Sequence, residues 1–128
     1  MAFEQPCLTI TVPASGDLSA SQYKFVKLNT SGQAVIPTGA TDAAIGVLQN
    51  KPTASGAAAE VMILGISKVQ GDANLAKADF VGTSADGQAA AYTAADTTKH
   101  ILGIVLDDNA AAAGYASVLL LGPGRTLA

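Results

Sequence analysis

Tryptophan is absent, and 128 residues include only one cysteine and one histidine. Charged residues make up 13 %, about half the roughly 25 % of an ordinary soluble domain. Each shortage excludes something. Cys7 has no partner for an internal disulfide and belongs to no cysteine-based metal site. His100 cannot share a metal with a second histidine, so no metal site is expected. The seven Lys and Arg lie scattered from Lys24 to Arg125, and the net charge is −3. No basic stripe is left to displace counterions, which argues against nucleic acid and anionic membranes as partners. No run approaches the ~18 apolar residues of a membrane span. The opening "MAFEQPCLTITVPASGD" has Glu4 where a signal peptide needs positive charge, and its apolar stretch at 8–12 is too short. The expectation is a soluble protein made in the cytoplasm.

What remains is alanine, glycine and small polar residues. The apolar share is 49 % but leans on alanine, which buries little area per residue. Such a bland surface suits a chain partly covered by copies of itself or by a partner. The length allows one domain with a real core. "CLTITV" reads as a strand that Pro13 stops. In "QYKFVKLNTSGQAVI" the alternation sets Tyr23 and Phe25 on one face, Lys24 and Val26 on the other, and Ser31-Gly32 makes the turn. "AIGVLQN" and "AAEVMILGISKVQG" are further strands, the second apolar on both faces around Gly65 and expected to be deeply buried. Single helical turns are all that is expected, one at 72–78 and one at 94–98.

The chain then says the same thing again. Phe25-Val26 returns 55 residues later as Phe80-Val81, and Gly32-Gln33-Ala34 as Gly87-Gln88-Ala89 at the same spacing. Ile45-Gly46-Val47 returns after 57 residues as Leu102-Gly103-Ile104, and the stretch 61–65 as 118–122. Ordered blocks at near-constant spacing indicate duplication. The predicted fold is mainly β with little helix, a small barrel or sandwich of two tandem β-rich repeats with an extended N-terminal arm. The predicted division is an arm and loop at 1–20, a first repeat at 21–71 and a second at 72–128. The arm is expected to lie outside the duplication.

Little chemistry is on offer. Asp107-Asp108-Asn109 lacks the alternate ligands and glycine of a calcium loop and reads as a solvated turn. Ser21-Gln22-Tyr23-Lys24 matches Ser-x-x-Lys but leads into a strand without the companion motifs. Gly122-Pro123-Gly124 has no third glycine and no helix to open. Neither catalytic residues nor a cofactor site is expected, and the chain is not expected to be an enzyme.

"YKFVKLNTSGQAVIPTGATDAAIGVLQNKPTASGAAAEVMILGISKV", followed by "LAKADFVGTSADGQA" and "ILGIVLDDNAAAAGYASVLLLG", resembles the capsid cement, or head decoration, proteins of tailed bacteriophages. The likeness runs from about Leu8 to Gly122 and is most specific at Ile45 to Pro52 with Gly56 and Glu60-Val61. Lys77-Ala78 before Asp79 departs from the pattern, because that family usually has a glycine there. The resemblance implies a homotrimer on the capsid exterior that binds the major capsid protein and bridges neighbouring subunits. Phe3, Leu8, Ile10 and Val12 are the candidate capsid contacts, with "LTITV" either an arm that pairs with a partner's sheet edge or the first barrel strand. The alternative is a small ligand- or carbohydrate-binding β module, for which Tyr23, Tyr92 and Tyr115 show no grouping in sequence.

Overall fold

The computed structural model describes residues 2–92, 99–109 and 111–126, the stretch from 121 onward by main chain alone. Among them there is no helix. Nine strands follow one another: β1 (Gln5–Pro13), β2 (Phe25–Leu28), β3 (Ala34–Val35), β4 (Gly46–Leu48), β5 (Ala58–Gln70), β6 (Phe80–Thr83), β7 (Ala89–Ala91), β8 (His100–Asp107) and β9 (Tyr115–Thr126). They form one curled antiparallel sheet, a half-barrel, in the order β3-β2-β4-β5-β9-β8-β6-β7. β1 lies along β5. Gly65 and Ile66 of β5 pair with Leu120 and Leu119 on one side and with Pro6 and Gln5 on the other, so β1 and β9 flank opposite edges.

The duplication is visible as register. Phe25↔Val47 and Val26↔Gly46 recur as Phe80↔Ile104 and Val81↔Gly103. Val47↔Met62 and Leu48↔Val61 recur as Ile104↔Leu119 and Val105↔Val118. Tight turns close both hairpins at Gly32 and Gly87, with φ of 75° and 84°. Even the left-handed residues match: Tyr23 (φ 65°) stands where Ala78 (φ 71°) does, and Gly56 where Ala113 does. Ala78 therefore sits in the backbone conformation that glycine adopts most easily.

β1 belongs to this pattern, contrary to the arm expected outside it. Thr9↔Met62, Ile10↔Val61, Thr11↔Glu60 and Val12↔Ala59 of β1–β5 recur as Ile66↔Leu119, Ser67↔Val118, Lys68↔Ser117 and Val69↔Ala116 of β5–β9. The isolated bridges Ala14↔Ala34 and Gly71↔Ala89 match too. β1 thus plays in the first repeat the part that the second half of β5 plays in the second. The physical reason is that main-chain pairing sets this equivalence while the side chains have diverged.

Two apolar clusters form the core. One joins Ala14, Leu18, Val26, Ala34, Leu48, Ala59 and Val61, with Ile10, Val12, Ile36 and Ile45 packed against it. The other holds Val69, Leu75, Val81, Leu102, Val105 and Val118 of the second repeat together with Phe25, Val47 and Met62 of the first. Adjacent Phe25 and Val26 are therefore both buried, one in each cluster, because the sheet of the first repeat is covered on both faces. The deep burial expected around Gly65 is not found: Leu64 is 40 % exposed, and Ile63 and Ile66 are half-buried. Residues 72–78 make no helical turn. Asp79 instead closes a short turn, accepting from the Ala76 N–H at 3.0 Å. The other expected helical turn, 94–98, lies outside the described residues.

Candidate interaction surfaces

The chain enters over the middle of the sheet. Phe3 is tied by its main chain to the Ser117 hydroxyl of β9, which accepts from the Phe3 N–H and donates to its carbonyl at 3.0 Å. Glu4 lies 3.9 Å from Lys68 of β5. Gly65 makes this crossing possible. Its φ is 119°, and a Cβ there would stand 2.7 Å from the Cys7 nitrogen and from the Gln5 carbonyl oxygen. Irregular register between Pro6 and Thr9 then brings β1 into step with β5.

The four residues expected to contact a capsid part company. Phe3 and Leu8 are exposed, and Leu8 pairs across the ladder with exposed Leu64. Ile10 and Val12 are half-buried and turn toward the first cluster. The outer edge of β1 has no strand paired with it among the described residues, so its main-chain groups stand open.

A second apolar surface was not picked out from the sequence. Phe80, Ile104, Leu119 and Ile66 are laterally paired neighbours on β6, β8, β9 and β5. Phe80 is 42 % exposed, Ile104, Leu119 and Ile66 are half-buried, and Leu106 nearby on β8 is exposed. The repeat aligns Phe80 with Phe25, but only the structure distinguishes the exposed copy from the buried one.

Polar residues serve the fold. Asn109, expected in a solvated turn, is buried. Its Oδ1 accepts from the Leu75 N–H at 2.8 Å, and its amide donates to the carbonyls of Ala73 (2.9 Å) and Ala111 (2.7 Å). The Pro52 carbonyl does the corresponding job for the Leu18 N–H in the first repeat. Asp42 accepts from the N–H and hydroxyl of Thr38 and lies 2.9 Å from Lys27. These contacts, Lys27 foremost, pull its pKa down to about 2. Ser21 and Lys24 form a main-chain turn, the Lys24 N–H donating to the Ser21 carbonyl. No group of three or more His, Cys, Asp or Glu able to hold a metal occurs among the described residues. Tyr23 and Tyr115, far apart in sequence, do meet edge to face with centroids 5.4 Å apart, and Lys68 lies over the Tyr23 ring.

No family model matches the chain, and no curated protein sequence does. Among solved structures, the N base of the head fiber protein gp8.5 of bacteriophage phi29 has the same fold. The match has a TM-score of 0.69 at 11 % identity and covers 92 % of this chain and 98 % of that one.

Proposed function

We propose that this chain is a non-catalytic structural protein of a bacteriophage virion. In this reading it is made in the host cytoplasm and sits on the outside of the head as a homotrimer. There it binds the major capsid protein and bridges neighbouring capsid subunits. The observation that carries the reading is the fold shared, over nearly the whole of both chains, with the base of a phage head fiber. The sequence resemblance to head decoration proteins also supports it.

The attachment surface we assign is β1 with the exposed neighbours on β5. A strand of the partner adds to the open edge of β1 through main-chain hydrogen bonds, while Phe3, Leu8 and Leu64 supply apolar area. Covering a half-exposed leucine contributes about 1 kcal/mol. Each contact is weak, and the free energy accumulates over a symmetric lattice. The test is co-sedimentation with phage heads stripped of decoration protein, together with the heat resistance of those heads. Binding that Leu8→Glu weakens and a more heat-resistant shell are expected. A protein that leaves the heads bare refutes the reading.

The Tyr23–Tyr115 pair favours the second reading, a carbohydrate-binding module, because Tyr115 is 45 % exposed. Glycan-array binding abolished by Tyr115→Ala, without affinity for heads, would select it.

A further inference from the structure

The two repeats share a register but not their surroundings. Phe25, Val47 and Met62, on the outer face of the first repeat, are buried in the cluster that the second repeat builds. Their counterparts in the second repeat are Phe80, Ile104 and Leu119. Nothing among the described residues covers these to the same degree: Phe80 is 42 % exposed where Phe25 is 0 %.

The other side of the internal contact shows the reverse. Ser67, Val69 and Leu102 of the second repeat are buried beneath the first. Their counterparts Ile10, Val12 and Ile45 are only half-buried. The hairpin turns repeat the contrast. The Phe25 N–H donates to the Gly87 carbonyl at 2.7 Å, and a Cβ on Gly87 would stand 2.8 Å from the Phe25 carbonyl oxygen. A Cβ on the equivalent Gly32 would meet nothing within 4 Å. Each repeat therefore has a projecting face and a receiving face. One of each is joined inside the chain, and one of each is left over.

We propose that a second copy of this chain fills the vacancy, head to tail. Phe80, Ile104, Leu106 and Leu119 of one copy seat on the receiving face of the next, formed by Ile10, Val12, Ile45 and the Gly32 turn. The side chains fit this substitution. Inside the chain, the Gln49 amide donates to the Ser67 hydroxyl at 2.9 Å. At the free faces Leu106 stands for Gln49 and Ile10 for Ser67, so a polar pair is replaced on both sides by an apolar one. Backbone geometry fits as well. β9 runs back along β8 as far as Thr126↔His100, leaving the place of β5's second half to the β1 of the neighbour. One internal bond has no counterpart: the Gln70 N–H donates to the Tyr23 carbonyl, and Pro13, in the place of Gln70, has no N–H. The contact is heterologous, so its repetition closes a ring or continues as a fibre.

This deepens only the self-assembly part of the proposed function, and its test needs no capsid. Sedimentation velocity is run at high micromolar concentration on the parent, on Leu106→Glu and on Ile10→Glu, with circular dichroism confirming the fold of each. The parent is expected above monomer mass and each variant at monomer mass. An equimolar mixture of the two variants is expected to form a two-chain complex, because each brings the face that the other lacks. Should Ile10→Glu fail to fold, Ser31→Trp, on the exposed turn beside Gly32, replaces it. A monomeric parent, variants that associate like the parent, or a mixture that stays monomeric overturns the proposal.

Discussion

Gly46 and Gly103 occupy the same place in β4 and β8, and neither tolerates a methyl group. A Cβ on Gly46 would stand 2.2 Å from the Met62 carbonyl oxygen and 2.9 Å from Val61 Cγ1. On Gly103 it would stand 2.6 Å from the Leu119 carbonyl oxygen and 2.4 Å from Val118 Cγ1. A valine methyl can rotate aside, but a carbonyl oxygen held in a ladder moves only with its strand. Overpacking usually costs about 1–3 kcal/mol, and the main-chain contact places Gly46→Ala at roughly 3 kcal/mol or more, with Gly103→Ala somewhat less. For a chain of this size that lowers the melting midpoint by roughly 10 °C. Gly16→Ala and Gly39→Ala are the controls, since a Cβ at either site meets nothing within 4 Å. They should stay within about 0.5 kcal/mol of the parent. Urea unfolding followed by far-ultraviolet circular dichroism, with the slope unchanged, measures all four. If Gly46→Ala or Gly103→Ala matches the controls, the close strand approach that the repeats share is not there.

The remaining predictions concern single groups. Ala78→Gly should raise stability by about 0.5–1 kcal/mol in the same unfolding assay, because relief of left-handed strain outweighs the entropy of a new glycine. Asn109→Ala should cost about 2–3 kcal/mol, since it strands the buried Leu75 N–H and the carbonyls of Ala73 and Ala111. Asp42 has a pKa lowered to about 2, so its contribution is complete above the ordinary carboxylate pKa near 4 and is lost as the pH falls toward 2. Its half-exposed setting holds that contribution to about 1 kcal/mol, and Asp42→Asn should therefore flatten the difference in melting midpoint between pH 5 and pH 2, as read by calorimetry. Deleting residues 1–13 should abolish the cooperative thermal transition, because it strips β5 of its partner along residues 58–66 and uncovers Ala59 and Val61.

Much of the fold was legible because turns and β-branched alternation are local signals. The hairpin around Gly32 and its copy around Gly87 lie where their sequences place them, and the 55- and 57-residue spacings became ladder registers. β1 could not be recognised as a repeated strand, since Val12 and Val69 are almost all that "CLTITVP" and "LGISKVQ" share. Alternation assumes one wet face, so it could not foresee Phe25 and Val26 both buried. Asn109 looked solvated beside two aspartates because its partner, the Leu75 N–H, comes from a loop 34 residues away. At the surface, exposed Phe3 and Leu8 were named among the candidate contacts for their apolar side chains alone, together with half-buried Ile10 and Val12. The Phe80 patch was not, because composition does not say which of two equivalent phenylalanines will be covered.

β5 serves both repeats, its first half pairing with β1 and β4 and its second with β9. No linker therefore separates the halves, and neither can melt without tearing a strand from the other. The halves should unfold in a single step, and a protease cut in an exposed loop should yield fragments that stay together. Assembly of the fold is correspondingly demanding. β1 finds its partner only after residues 58–66 exist, and Phe3 waits for Ser117. Pairings so distant along the chain make folding slow relative to the stability it reaches.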